Sequence, residues 1–132
     1  MDAREVTLAA PFAEAEAVVR QALTSEGFGV LSEIDVAATF RAKLGVERRA
    51  LTILGACNPS FAYRGLSADP SLALVLPCNV VLEDLGDGRT RVALADPRAM
   101  FALADPALSS TDPTLADEVA AALTRVTDRL GA

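Results

Sequence analysis

The sequence contains no histidine and only two cysteines, and each scarcity removes chemistry. Without histidine there is no side chain that titrates unperturbed near neutral pH, no Ser-His or Cys-His nucleophile pair and no histidine-containing metal site. Basic clusters are missing as well: Arg48-Arg49 is only a pair, in a chain of 132 residues with a net charge of −6. That balance argues against a nucleic-acid partner and against an acidic membrane surface. No apolar run approaches a bilayer span, and the longest, around Leu72 to Leu82, is broken by Pro77 and Asn79. No positively charged leader ahead of an apolar core opens the chain, and no internal repeat or low-complexity linker divides it. Export is therefore not expected, a cytoplasmic location is, and the two cysteines are expected to stay thiols.

What is present is an apolar chain, 52% hydrophobic, long enough to bury a core as one domain over residues 1–132 without metal or disulfide staples. Glu5 to Ala9 alternates as a first strand. Pro11 then opens a helix in which Phe12, Ala15, Val19, Ala22 and Leu23 share one face, and Gly27 ends it. A second strand is predicted over Phe28 to Ile34. Asp35 caps a short helix with Val36, Phe40 and Leu44 on one stripe and Gly45 beyond it. Arg49 to Ala56 reads as the third strand, and Asn58-Pro59 as the cap and first residue of a helix reaching about Leu66.

Leu72 to Glu83 is the longest strand candidate, and Pro77 within it predicts an edge strand or a bulge, because proline cannot donate to a ladder. Asp87-Gly88 marks a tight turn before a strand over Thr90 to Ala95. Asp96 to Ser110, with two Asp-Pro pairs, carries no clear pattern. From Pro113, with Asp112 as cap, Leu115, Val119, Ala122, Leu123, Val126 and Leu130 form a long apolar stripe. The predicted class is α+β: a mostly antiparallel sheet with two longer helices on one face, a β-α-β-β-β-β-α core with short helical insertions.

Chemistry concentrates in two Cys-Asn dipeptides, within Gly55-Ala56-Cys57-Asn58-Pro59 and Leu76-Pro77-Cys78-Asn79-Val80. An antiparallel sheet would bring the end of the third strand beside the start of the fourth, and so Cys57 beside Cys78. Cys57 stands just before a predicted helix N-terminus, where backbone N–H groups favour a thiolate. Asn58 and Asn79 add amide donors and acceptors, Pro59 fixes the helix start, and Arg64 offers a charge further along that helix. Against this stand plainer roles: small thiols in apolar strands more often pack than react, Asn58 can be only a cap, and Arg64 only a surface charge. The two thiols fall short of a closed zinc site within one chain, although they could hold a soft ion, alone or pooled in a dimer. Gly27-Phe28-Gly29 lacks the third glycine of a dinucleotide fingerprint, and no phosphate loop occurs.

On these two motifs the sequence resembles the bacterial and archaeal family called domain of unknown function 302. Gly27-Phe28, Asp35-Val36, Lys43-Leu44-Gly45, Ile53-Leu54, Asp69-Pro70 and Asp87-Gly88 support the likeness. The resemblance implies a TATA-binding-protein-like fold, a curved antiparallel sheet gripped by two helices, often as a homodimer. It implies no DNA binding, because fold alone does not assign function. The family has no settled activity, so it supplies no catalytic residue and no cofactor. The leading expectation is a binding domain whose small ligand or soft metal sits near Cys57, Asn58, Pro59, Cys78, Asn79 and Arg64, with the two thiols as metal candidates. The alternatives are a thiol-dependent redox or sulfur-transfer enzyme using Cys57 and Cys78, and a structural or interaction module with packed cysteines.

Overall fold

A computed structural model describes residues 3–103 and 111–131. Five strands form one antiparallel sheet: β1 (Ala3–Leu8), β2 (Gly29–Asp35), β3 (Leu51–Cys57), β4 (Cys78–Asp84) and β5 (Thr90–Ala95). Their spatial order is β1-β5-β4-β3-β2, so β4 is central and β1 and β2 are the edges. The helices are α1 (Phe12–Ser25), α2 (Val36–Leu44), α3 (Pro59–Ala68), α4 (Pro97–Phe101) and α5 (Leu115–Arg129). The predicted α+β class holds.

Alternation divides the sheet into two unlike faces. Leu54 and Ala56 of β3, Val80 and Leu82 of β4, and Val92 and Leu94 of β5 are buried, against α1 and α5. Val19 and Leu23 of α1 and Leu115, Leu123 and Val126 of α5 complete that core. Burying each large apolar side chain fully contributes about 1.5–3 kcal/mol, so this burial holds the two helices on that face of the sheet. The opposite face is less covered among the described residues: Ile53, Val81 and Ala93 are half-buried there and Ile34 is 50% exposed. Ile34, Ile53, Val81 and Ala93 form a row across β2, β3, β4 and β5 on that open side.

Three local expectations change. Pro77 signals neither an edge strand nor a bulge: the predicted strand over Leu72 to Glu83 begins only at Cys78, and Pro70–Val75 ahead of it is a 3-10 helix. Pro77 stands just outside an interior strand, where no ladder N–H is needed of it. The irregular pairing is in β2, between Val30 and Ser32, which displaces Leu31. The α2 stripe does not face the core: Ala37 alone is buried, and Leu44 is 69% exposed. The α5 helix starts at Leu115, and Thr114 rather than Asp112 stands at its cap position. The unread segment contains α4, capped by the Asp96 carboxylate accepting from the Arg98 N–H at 2.9 Å. Its second Asp-Pro pair, Asp105-Pro106, lies outside the described residues. Among the described residues no helix is long and apolar enough to cross a membrane.

Candidate functional site

The first motif is built by a strand running into a helix. β3 ends at Cys57, and Asn58, with φ −100° and ψ 109°, turns the chain into α3 with Pro59 as first helical residue. The Asn58 Oδ1 accepts from the Phe61 N–H at 3.4 Å, and its Nδ2 donates to the Glu26 carbonyl at 3.4 Å. Asn58 therefore ties the start of α3 to the end of α1, and both ends of its amide are used. Gly27 makes room for this contact. It has φ +84°, and a Cβ there would stand 3.0 Å from Asn58 Nδ2. The Glu26 carboxylate in turn holds Arg125 at 2.6 Å and Arg129 at 2.9 Å. These guanidinium bonds keep its carboxyl below the ordinary range.

The second motif lies beside the first through strand pairing. Ala56 is opposite Cys78 and Gly55 opposite Asn79. Cys78 thus shares the core face with Ala56 and Val80, while Asn79 stands exposed on the open face. The Pro77 ring occupies the space a side chain at position 55 would need, since a Cβ on Gly55 would lie 2.7 Å from Pro77 Cγ. That explains why the first motif begins with glycine. Both sulfurs belong to free, half-buried cysteines.

A cavity of about 20 Å³ is lined by Cys57, Asn58, Phe61 and Cys78, with Phe28 and Phe101 closing it. It has room for little more than a single water molecule. Burial disfavours the charged thiolate here. It raises Cys57 above its ordinary value and pushes Cys78 up to about 11, the charge of a Cys57 thiolate adding to the latter. Proximity to a helix start does not overcome desolvation at Cys57. Among the described residues no group of three or more cysteine, aspartate and glutamate side chains could hold a metal ion.

A larger cavity, about 430 Å³, opens on the less covered side of the sheet. Pro77, Cys78 and Asn79 form one part of its wall, so Cys78 borders both cavities. Its floor is Val81 with Ala3, Ala93 and Ala95, and Leu74, Leu76 and Met100 stand at its sides. These floor and side residues are absent from the sequence-based site. The available signal was the composition of β5, whose core positions include Val92 and Leu94 and whose opposite positions include Ala93 and Ala95. Only the register with β1, Ala3 against Ala95, shows that the alanines form a continuous patch.

The remaining predicted residues go elsewhere. Pro59 and Arg64 line neither cavity. Arg64 binds Asp112 at 2.9 Å and Glu118 at 2.7 Å, fastening α3 to the start of α5, and lies 6.0 Å from the Phe61 ring centre. These carboxylates raise its already high ionisation further, and Arg64 with the Thr114 hydroxyl holds the Glu118 carboxyl down at about 2.

The fold and the paired motifs define an α+β domain with an open antiparallel sheet, Cys-Asn dipeptides at the facing ends of two neighbouring strands, and a cavity beside them. The model of the domain of unknown function DUF302 matches residues 4–130, and the chain belongs to that family. It is similar to the crystal structure of an uncharacterized conserved DUF302 protein from Bacillus stearothermophilus, with 27% identity, a TM-score of 0.84 and 98% of each chain covered. No curated protein matches the sequence.

Proposed function

We propose that this DUF302 chain is a binding domain for a small molecule, received in the larger cavity on the open face of the sheet. The observation that carries the reading is the coincidence of a 430 Å³ concavity with the second Cys-Asn motif. Its volume falls in the range of small-molecule sites, and its lining has their usual make-up, mainly apolar with few polar groups. Asn79 supplies the amide, and the Cys78 thiol stands protonated beside it at neutral pH. The test is displacement of an environment-sensitive apolar fluorophore, with Ala93→Leu filling the floor. Exclusion of the fluorophore by Ala93→Leu in a folded protein is expected. Unchanged binding in that variant would remove the site.

The soft-metal reading concerns the smaller cavity, where Cys57 and Cys78 could supply two thiolate ligands. Titration of the reduced protein with Ag(I), followed by mass spectrometry of wild type and Cys57→Ser, tests it. The redox or sulfur-transfer reading requires an activated thiol, and the burial that suppresses ionisation of both cysteines counts against it. As partner, a second copy of the chain is proposed. Edge strand β2 carries Leu31 at 70% and Ile34 at 50% exposure, and an unpaired strand edge is a template for pairing. Sedimentation of wild type against Ile34→Lys checks this, with loss of a dimer expected.

A further inference from the structure

From the lining of the larger cavity we infer the class of its ligand: an uncharged, planar, ring-bearing molecule with adjacent hydrogen-bond donor and acceptor on one edge, as in a lactam or ring carboxamide. The inference rests on the small-molecule reading of that cavity and adds the chemistry of the occupant.

Charge is excluded first. Among the described residues no aspartate, glutamate, lysine or arginine lines the cavity. The ionisable side chain among its described lining residues, Cys78, is a neutral thiol until well above physiological pH. A carboxylate or ammonium drawn in would lose hydration with no oppositely charged group among the described lining residues. Further along the open face Glu83 is already matched, accepting from both Arg48 and Arg91. Glu5, opposite Ala93 on β1, is exposed at the rim, where it opposes an anion and stays hydrated itself.

Shape is set by the floor. Ala3, Ala95 and Ala93 lie on adjacent strands β1 and β5, and Val81 is opposite Ala93 on β4. Strands stand about 4.8 Å apart, so three of them give a patch about 10 Å across. Alanine side chains end at Cβ, so the patch is shallow and even, a surface for the face of a ring. Met100 at the side suits a ring edge, because thioether sulfur makes favourable contacts there. A flexible chain of equal volume would lose rotamer freedom on the same surface, which a rigid ring does not.

The polar edge follows from Asn79. It is exposed on the open face, and its side chain makes no hydrogen bond among the described residues. A primary amide presents one acceptor and two donors side by side. Its complement is a neighbouring N–H and C=O in the plane of the ligand ring.

The experiment is calorimetric or NMR titration of the full chain with three probes: 2-quinolinone, quinoline-2-carboxylate and octanamide. Binding of 2-quinolinone is expected, weakened about tenfold or more by Asn79→Ala and abolished by Ala95→Leu. The anion and the flexible amide should bind more weakly by a similar factor. Equal or tighter binding of either comparator overturns the ligand class while leaving the site in place. Equal binding of 2-quinolinone to Asn79→Ala overturns the role of the amide edge. If no probe binds but Ala93→Leu still excludes the apolar fluorophore, the class is wrong and the site stands. If Ala93→Leu excludes nothing, the site falls and the class with it.

Discussion

Gly55→Ala tests how the two motifs are held together. The residue is in β3 with no positive φ, so alanine fits its backbone. With free space around it, the exchange would stabilise the protein by about 0.4–1 kcal/mol by restricting the unfolded chain. Space is what is missing. The new methyl would sit 2.7 Å from Pro77 Cγ, where ordinary contact begins at 3.4 Å, and would also crowd the Ser32 hydroxyl. The hydroxyl can swing toward solvent, but the pyrrolidine ring can move only with the backbone leading into Cys78. Such overpacking costs about 1–3 kcal/mol, so net destabilisation of about 1–2 kcal/mol is expected. Urea denaturation measures it, and Ser32→Ala in the same background removes the hydroxyl's share. Because Pro77 and Cys78 form a cavity wall, fluorophore affinity should fall as well. A variant as stable as wild type, or more so, would refute the account of Pro77 packing on the glycine.

Asn58→Ala removes the helix cap and the bond to the Glu26 carbonyl together, and should cost about 1 kcal/mol in chemical denaturation; a loss near zero would show that neither 3.4 Å bond matters. Acid should weaken the protein in a definite window. Glu118 has its folded carboxyl held down at about 2 against an ordinary 4.5, so its stabilisation is complete above about 4.5 and is lost as pH falls toward 2. Arg64→Met should lower thermal stability at neutral pH and flatten that part of the acid limb. Neither thiol should alkylate rapidly at pH 7: with the ionisation of both shifted to higher pH, modification by iodoacetamide should climb beyond pH 9, Cys57 ahead of Cys78, whose midpoint falls at about 11. Mass spectrometry of the modified peptides reads the order, and a fast phase below pH 8 would contradict it.

The sequence by itself determined the elements whose signal is local. The α5 stripe, Asn58-Pro59 at a helix start, Asp87-Gly88 at a turn and the alternation of β5 each depend on residues within a few positions, and all stand where they were read. It also located both Cys-Asn motifs, because strand polarity alone brings Cys57 and Cys78 to the same end of the sheet. Tertiary structure decided the remainder. Pro77 is compatible locally with an edge or a bulge, and only its packing over Gly55 places it at the start of a central strand. Arg64 could have served a ligand until Asp112, 48 positions away, claimed it. Helix proximity predicted a favoured thiolate at Cys57, but desolvation depends on what surrounds the sulfur, and that belongs to the packed fold. The larger cavity needed the register of β1, β4 and β5, because alanine is uninformative in sequence and becomes a binding floor only when several align.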